Sequence, residues 1–423
     1  MRKFLKKFKA KVSGSKQQNI PQELKASNVF CMLPWVHLHA LPGGNLYPCC
    51  SSAHLNEAVV GNLNKGESLI STWNGERLKK IRLKMLAGEK LRICEKCYAD
   101  EDRNQESQRL ASFKAFPHHL SKALKTKKSG SVAYEEIPYL DIRFSNLCNL
   151  RCRICSHDYS TSWYKDQKAL WPEYTKPRKI NVSDNLDELW KQLEPHMNNL
   201  ERIHFAGGEP MIMEEHYLIL KRLHDLRRFD VHLSYNTNFT IRYFKKHDIF
   251  KLWKDFNHIF VAASLDGSGK RGEYLRKNMN WHQTEQLRKE MIEICPNVRF
   301  RLDPTVSIHN VFHLPDFYDD WHKKELMGNE GMRINILYEP EEYNIVNLPN
   351  SIKEKVKTKY ESFLKGHTYN EQVQTQFGAV LSHMFSQESS DTNNFKKTTE
   401  KLDKLRDESF LETFPELKEM MNE

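Results

Sequence analysis

The chain has 423 residues, of which 39% are hydrophobic and 28% are charged, and its formal net charge is +10. The length predicts two or three domains with enough sequence for a buried core. No apolar stretch is long enough to cross a bilayer, and the basic N-terminus lacks the apolar core and cleavage site of a secretory signal, so we expect a cytoplasmic protein without a transmembrane segment.

The order of the predicted elements indicates four segments. They are a basic flexible tail (residues 1–30), a cysteine-rich domain (31–125), an alternation of strands and helices (134–340) and a helical extension (341–423). The strands predicted in the third segment are Tyr139–Phe144, Arg202–Ala206, Val231–Tyr235, Ile259–Ser264, Val298–Val306 and Arg333–Tyr338. Helical patterns between them predict βα repeats around a parallel sheet, an α/β fold whose active site lies at the carboxyl ends of the strands.

The cysteine-rich domain carries five of the nine cysteines: Cys31, Cys49, Cys50, Cys94 and Cys97. Short spacings of this kind are typical of metal or cluster binding in a reducing compartment rather than of disulfides. The Cys94-x2-Cys97 pair and distant cysteines make a four-sulfur site, which suits either zinc or an iron–sulfur cluster. In a zinc site, His37, His39 and His54 are further candidate ligands.

Three more cysteines lie directly after the first strand of the third segment, in the sequence Cys148-Asn-Leu-Arg-Cys152-Arg-Ile-Cys155. Three thiolates so close together can surround one metal centre. A mononuclear zinc site usually has four ligands, whereas a 4Fe–4S cluster held by three cysteines keeps one iron open for a substrate. The spacing by itself is compatible with both interpretations.

The C-x3-C-x2-C spacing, with Ile154 before the last cysteine, resembles the signature of the radical SAM superfamily. The resemblance covers about residues 134–340 and implies a partial (β/α)6 barrel of the TIM type that is open on one side. It also implies that Cys148, Cys152 and Cys155 hold a 4Fe–4S cluster whose open iron binds S-adenosylmethionine (SAM). An electron, from an external donor such as flavodoxin or ferredoxin, then cleaves SAM to a 5′-deoxyadenosyl radical that abstracts a hydrogen atom from the substrate.

Residues at the ends of the following strands extend this resemblance. Gly207-Gly208-Glu209-Pro210 follows the second strand and matches the second signature of the superfamily, which contacts the amino group of SAM. The other candidates for SAM contact are Asn236, Asn238, Ser264, Asp266 and Arg276. Phe239 replaces the usual glycine of the third strand end. For Ser264 and Arg276 the alternative is turn capping or a surface ion pair, and for Asp266 it is a role as a turn residue. Val306 and Asn310 either line the adenine site or have only a structural packing role.

The cysteine-rich domain resembles the auxiliary-cluster region called SPASM, or its shorter relative called twitch. The residues that carry this resemblance are Cys31, Pro34, Trp35, Gly44, Cys49, Gly61, Asn62, Leu63, Trp73 and Asn74. The region usually follows the barrel in that family, whereas here it precedes it. Five cysteines are too few for two clusters, so the resemblance implies one auxiliary 4Fe–4S cluster. Its implied ligands are Cys31, Cys49, Cys94 and Cys97. Cys50 is a spare or an alternative to Cys49, and Cys295 is expected to be a buried hydrophobic residue.

Together these features predict a radical SAM oxidoreductase or maturase that oxidises or modifies its substrate with the help of the auxiliary cluster. The similarity to SPASM-type maturases favours a peptide or protein side chain as the substrate. Two alternatives stay open: radical SAM modification of RNA or of a small molecule such as a sugar, and a zinc-stabilised nucleic-acid-binding protein. A nucleic-acid partner is not expected, because the sequence contains no recognisable nucleic-acid fold with an aromatic-interleaved basic patch.

Overall fold

The computed structural model describes residues 27–103, 105–133, 136–328, 330–366, 371–388 and 392–421. A flexible tail was predicted for residues 1–30, and residues 1–26 of it lie outside the described residues. In the described part of the chain, none of the helices combines the length and the apolar character that a membrane crossing requires.

Strands and helices alternate along most of the described chain. The strands are β1 (His37–Ala40), β2 (Asn45–Tyr47), β3 (Gly61–Asn62), β4 (Tyr139–Ile142), β5 (Arg151–Cys152), β6 (Arg202–Phe205), β7 (His232–Thr237), β8 (Tyr243–Phe244), β9 (His247–Asp248), β10 (His258–Ala263), β11 (Arg276–Lys277), β12 (Arg299–Leu302), β13 (Thr305–Val306) and β14 (Asn335–Ile336). The α-helices are α1 (Leu33–Val36), α2 (Leu69–Trp73), α3 (Glu76–Ala87), α4 (Glu95–Asp102), α5 (Gln108–Ala115), α6 (Leu120–Leu124), α7 (Tyr164–Leu170), α8 (Leu186–Leu193), α9 (Glu214–Asp225), α10 (Ile249–Trp253), α11 (Gly269–Leu275), α12 (Trp281–Ile294), α13 (Leu314–Lys323), α14 (Asn350–Gly366), α15 (Glu371–Met384), α16 (Asn393–Arg406) and α17 (Phe410–Thr413). The predicted α/β fold class is confirmed.

The chain divides into two compact units that interleave along the sequence. The first unit consists of Met1–Ser145, Asn181–His204 and Lys221–Val231. The second consists of Asn146–Ile180, Phe205–Leu220 and His232–Glu423. The domain boundaries derived from the sequence stay a prediction, because compactness alone does not define the ends of a functional domain.

In the first unit, β1, β4 and β6 run parallel, and β2 and β3 continue the sheet from β1 as antiparallel strands. The cysteine-rich region therefore contributes strands to the sheet that contains β4. The register places His39 beside Asp141, and Asp141 beside His204. One position earlier, Leu140 and Ile203 are paired and buried, so their side chains pack on the opposite face of the sheet.

In the second unit, β7, β10 and β12 form a parallel ladder in which β10 is central. The buried side chains of Leu233 and Tyr235 on β7 alternate with less buried ones, as expected for a strand with one face against the core. Helix α12 joins β10 to β12 in the chain order, and the Asn280 side chain caps it by accepting from the N–H of Gln283 (2.9 Å). Helices thus separate the strands, as a parallel sheet requires.

The predicted fifth and sixth strands differ from the structure. The run 298–306 is divided into β12 and β13, and β13 pairs with the short β14 in a separate two-stranded parallel ladder. Pro304 lies at the division and has no N–H to donate. The N–H of Asp303, one residue earlier, still donates to the carbonyl of Ala263 (2.8 Å), so the ladder with β10 ends there.

Candidate active site

The three central cysteines lie on a loop that contains the short strand β5: Cys148 precedes the strand, Cys152 is its last residue and Cys155 follows it. This strand pairs antiparallel with β11, and the register places Cys152 opposite Arg276. Hydroxyl groups hold the rest of the loop: Ser160 donates to the carbonyl of Leu150 (2.5 Å). Ser162 in the same way donates to the carbonyl of Cys148 (2.8 Å). These contacts use the backbone of the loop and not its sulfur atoms.

The three thiols are shielded from water. Cys152 is buried, and Cys148 and Cys155 are half-buried. Burial raises the pKa of the Cys148 thiol to about 12, and it also raises the pKa of Cys152 and of Cys155. The guanidinium of Arg276 opposes this effect at Cys152, whose sulfur accepts a hydrogen bond from Arg276 at 3.6 Å. A metal centre would displace the thiol protons and stabilise the thiolates, and a set of three soft sulfur donors fits an iron–sulfur cluster.

Glycine allows the second motif to pack closely on this loop. A Cβ atom at position 208 would lie 2.1 Å from the carbonyl oxygen of Leu147. The N–H of Glu209 donates to the same oxygen (2.8 Å). Gly207 has φ +123, a conformation that side chains other than glycine rarely adopt. Pro210 then begins a short 3₁₀ turn over Pro210–Ile212. The structure therefore brings this motif against the residue that precedes the first cysteine.

The Glu209 carboxyl group is fully buried. It accepts hydrogen bonds from the hydroxyl of Thr237 (2.8 Å), the N–H of Asn238 (2.7 Å) and the N–H of Met211 (3.1 Å). Burial nevertheless raises the pKa of this carboxyl to about 7. A buried carboxylate is a strong hydrogen-bond acceptor, and the amino group of SAM has N–H groups that can donate to it.

Asn238 lies beside the cysteine loop. Its side-chain amide donates to the Oδ1 atom of Asn149 (2.8 Å) and lies 3.9 Å from the sulfur of Cys148. Its own Oδ1 accepts from the hydroxyl of Thr240 (2.6 Å). Asn236, two residues earlier, is exposed on β7. The structure thus places Asn238 next to the candidate cluster ligands, and Asn236 has no such contact among the hydrogen bonds of the described residues.

Phe239 adopts φ +54, which is the left-handed conformation that glycine favours. Its side chain is fully buried, and its ring lies 5.1 Å from that of Phe300. The replacement of the usual glycine therefore retains a glycine-like backbone, and burial of the aromatic ring offsets the strain.

Asp266 and Arg276 form a buried ion pair with a distance of 2.8 Å. The other Asp266 oxygen accepts from the N–H of Thr305 (2.9 Å), and the Asp266 carbonyl accepts from the side chain of Asn310 (2.9 Å). Arg276 also donates to Cys152. Asp266 and Asn310 therefore have structural partners that fix the turn after β10, and Asp266 positions Arg276 against the cysteine loop.

The remaining candidates differ in their surroundings. Ser264 and Ile154 are half-buried, and the N–H of Ser264 donates to the carbonyl of Thr237 (2.8 Å). Val306 is fully buried. Cys295 is buried at the end of α12, where its thiol donates to the carbonyl of Met291 (3.4 Å), an arrangement consistent with a packed hydrophobic residue.

A buried arginine connects the cysteine loop to the C-terminal helices. Arg153, between the second and third cysteines of the loop, has no exposed side-chain surface and forms ion pairs with Asp403 and with Glu408 (2.8 Å to Glu408). Its guanidinium lies 3.7 Å from the centre of the Tyr274 ring. The hydroxyl of Tyr274 in turn donates to Asp403 (2.8 Å). Sequence reasoning missed this link, since the partners are 250 residues apart along the chain.

A second arginine makes a parallel link. Arg406 and Arg151 share the fully buried carboxylate of Asp166, at 2.9 Å and 2.6 Å respectively. The Arg406 guanidinium lies 4.8 Å from the centre of the Trp163 ring, and the Trp163 indole N–H donates to the carbonyl of Cys152 (2.7 Å). The C-terminal extension therefore stabilises the loop that carries the three cysteines.

Four cysteines of the first unit line one cavity: Cys31, Cys49, Cys94 and Cys97. Cys94 is the N-cap residue of α4 and Cys97 lies three residues later, so both sulfurs lie on the same side of the helix. Burial raises the pKa of Cys31 to about 11 and that of Cys49 to about 12. As in the second unit, bound metal would replace these protons.

Cys50 differs from these four. It does not line the cavity, and the charged groups that act on its thiol include Asp141 and Arg143. Cys49, and not Cys50, therefore lies on the cavity that the other three cysteines line.

Tryptophan and asparagine residues of the N-terminal pattern pack around the segment that follows Cys31. The guanidinium of Arg82 is buried, donates to the carbonyl of Pro34 (2.8 Å) and lies 4.9 Å from the centre of the Trp73 ring. It also donates to the side chain of Asn74 (3.2 Å). The indole of Trp35 is buried beside Pro34. These residues support the segment that follows Cys31 rather than binding a ligand.

Two family models match the chain. Residues 142–322 match the radical SAM superfamily, and residues 31–98 match SPASM, an iron–sulfur cluster-binding domain. The chain carries a radical SAM domain preceded by a SPASM domain. It is therefore a radical SAM enzyme, and the two domains imply a 4Fe–4S cluster with SAM and auxiliary iron–sulfur binding. Radical SAM enzymes need an electron donor. The alternative of a zinc-stabilised nucleic-acid-binding protein is not supported by these matches.

Two of the solved structures that match the chain have low sequence identity to it. One, described as "Native anSMEcpe with bound AdoMet", is 20% identical with a TM-score of 0.37 and covers 59% of this chain and 67% of that chain. Another, described as "Structure of TYW1 with a lysine-pyruvate adduct bound", is 7% identical with a TM-score of 0.31. It covers 53% of this chain and 71% of that chain. None of the curated proteins matches the chain.

Proposed function

We propose that this radical SAM enzyme abstracts a hydrogen atom from a peptide or protein side chain and uses one auxiliary cluster in the oxidation or modification of that substrate. The observation that carries the proposal is the separation of seven cysteines into a set of three on one loop and a set of four that line one cavity. Three cysteine ligands leave one iron of a cluster open, whereas four close it. SAM chemistry is therefore assigned to the first set, and electron transfer to the second.

The proposed ligands of the SAM-binding cluster are Cys148, Cys152 and Cys155. When bound, the cluster and SAM supply a 5′-deoxyadenosyl radical. The chain itself contributes charge and position. Glu209 provides a buried carboxyl group for the amino group of SAM. Arg276 donates to the sulfur of Cys152 and stabilises its thiolate, and the ion pair with Asp266 keeps Arg276 in place. Asn238 beside Cys148 is a further candidate for contact with SAM.

The proposed ligands of the auxiliary cluster are Cys31, Cys49, Cys94 and Cys97. An external donor such as flavodoxin or ferredoxin would supply the electron that cleaves SAM. The peptide or protein substrate is inferred from the SPASM domain by analogy with maturases. A small molecule such as a sugar, or an RNA, is the alternative substrate class.

The cofactor assignment is tested on protein purified without oxygen. We expect about eight irons per chain for two 4Fe–4S clusters, and release of 5′-deoxyadenosine on addition of a reductant and SAM. Cys152→Ala should abolish this release, whereas Cys94→Ala should retain it and block substrate turnover. Cys295→Ala, a buried cysteine outside both sets, is the control and should retain iron and release. Normal cleavage of SAM by Cys152→Ala would refute the assignment.

The substrate class needs its own measurement. Candidate peptides encoded beside the gene should change in mass when they are incubated with the reduced enzyme and SAM, and Cys152→Ala should leave them unchanged. A change in mass only in a sugar or an RNA under the same conditions would replace the peptide as the substrate.

A further inference from the structure

Two histidines and a glutamate converge in the first unit, away from both cysteine sets in the chain. His118 and His119 end the 3₁₀ turn Pro117–His119, which follows α5. Glu201 is the residue directly before β6. One ligand atom from each of the three side chains lies within 4.8 Å of the other two. Neither the sequence motifs nor the proposed SAM chemistry accounts for this group.

The geometry of the three side chains is already close to that of a metal site. The Nε2 atom of His118 lies 2.8 Å from one carboxylate oxygen of Glu201, and the Nε2 atom of His119 lies 2.6 Å from the other. A zinc ion with bonds of about 2.0–2.2 Å holds its ligand atoms about 3.3 Å apart. An ion placed between the two ring nitrogens and the carboxylate would therefore need only small shifts of the side chains.

The surrounding structure packs against one side of this group. The buried ring of Phe116 lies 6.4 Å and 6.2 Å from the rings of His118 and His119, and it stacks on Tyr139 at 5.7 Å. The N–H of Glu201 donates to the carbonyl of Pro138 (2.8 Å), which fixes the backbone of the third ligand. Side-chain exposure is 13% for His119, 33% for Glu201 and 56% for His118, so one side of the group faces water.

The local charge also permits a cation. A carboxylate and two neutral imidazoles give the ligand set a charge of −1. The cationic groups of Lys122 and Arg228 border the same surface, as do the carboxylates of Glu136 and Asp230. Arg228 is engaged by the carboxylate of Asp230 (2.8 Å) and by the carbonyl of Leu200 (2.7 Å). Its positive charge is thus largely neutralised before an ion binds.

We propose that His118, His119 and Glu201 form a site for a divalent first-row transition metal such as zinc, with water completing the coordination. The two imidazoles bind through Nε2 and carry their protons on Nδ1, and two hydrogen bonds to Glu201 are exchanged for three metal–ligand bonds. The ion ties the turn after α5 to the start of β6. This site is independent of the SAM chemistry and of the auxiliary cluster.

Zinc binding to the cluster-loaded protein tests the proposal. After treatment with a chelator that leaves the iron content unchanged, we expect one zinc per chain by titration with zinc chloride. His118→Ala and Glu201→Gln should each weaken this binding at least tenfold, and His282→Ala, an exposed histidine on α12, should not. Equal zinc affinity in His118→Ala and the unchanged protein would overturn the proposal. His118 is the most exposed of the three, so its variant is expected to fold.

The ligands of the bound zinc give a second measurement that does not depend on folding of a variant. X-ray absorption at the zinc edge should show nitrogen and oxygen neighbours at about 2.0–2.2 Å with the outer-shell scattering of imidazole. Sulfur neighbours at about 2.3 Å would mean that zinc has entered a cysteine set, and this result would also overturn the proposal.

Discussion

The link between Arg153 and Asp403 allows a sharp test of the C-terminal extension. Asp403 accepts from three donors: the Arg153 guanidinium, the hydroxyl of Tyr274 (2.8 Å) and the N–H of Phe410 (2.7 Å). Asp403→Ala removes the acceptor of all three hydrogen bonds at once. It leaves the fully buried Arg153 with Glu408 as its acidic partner.

The size of the effect follows from the burial of the pair. Removal of one partner of a buried ion pair costs about 3–5 kcal/mol, because an uncompensated charge is left behind. Asp403 retains 15% exposure, and Glu408 still pairs with Arg153, so we expect the lower end of that range. About 3 kcal/mol is a large share of the stability of a typical domain. Since Arg153 lies inside the cysteine loop, we expect the loss of stability to affect the loop that is proposed to hold the cluster.

The assay is the lifetime of the clusters, followed by their visible absorbance in the presence of an iron chelator, together with the midpoint of urea unfolding. Asp403→Ala should shorten the lifetime and lower the midpoint. Glu400→Gln, an exposed acidic residue on the same helix, should leave both unchanged. A second change, Arg153→Met in the Asp403→Ala background, should recover part of the loss because it removes a buried guanidinium that has lost one of its two acidic partners. If Asp403→Ala behaves like Glu400→Gln, the extension does not stabilise the loop.

Three further predictions concern the two cysteine sets. Gly208→Ala should weaken SAM binding about tenfold or more, because the added Cβ atom would force the backbone of Leu147 to move at a cost of about 1–3 kcal/mol. Unchanged SAM affinity in an equilibrium binding measurement would contradict the packing argument. SAM affinity should rise as the pH rises through about 7, where the buried carboxyl group of Glu209 changes from neutral to charged. Glu209→Gln should flatten this pH dependence. A pH profile of SAM affinity that is the same in both proteins would exclude Glu209 as the partner of the amino group. Cys49→Ala should halve the iron content to about four per chain whereas Cys50→Ala should retain about eight, and the reverse result would exchange the two residues as ligand and spare.

The sequence was informative where chemistry and local spacing coincide. The strand that precedes Cys148 and the strand that precedes Gly207 were predicted close to their observed positions, because each is a short apolar run that ends in a motif. Gly208 was identified as part of the motif, but the atom that requires a glycine there, the carbonyl oxygen of Leu147, became apparent only in the structure.

Long-range pairing was not predictable in the same way. Nothing in the composition of residues 31–62 indicated that β1 would pair in parallel with β4 across about a hundred residues, because a short strand carries no signal for its partner. The pairing of Arg153 with Asp403 was hidden for the same reason, since charged residues are usually read as surface positions. The division of the predicted fifth strand, in contrast, could have been found from Pro304 alone.

The vacant coordination position of the SAM-binding cluster is the central claim, and one spectroscopic measurement addresses it directly. The reduced protein is mixed with SAM that carries isotopic labels in its amino nitrogen and carboxylate oxygen, and electron–nuclear double resonance is recorded on the cluster signal. Magnetic coupling of both labels to the cluster is expected, and it should be absent in Cys152→Ala. A cluster signal in the unchanged protein that shows no coupling to either label, with a side chain of the protein bound to the fourth iron instead, would contradict the account.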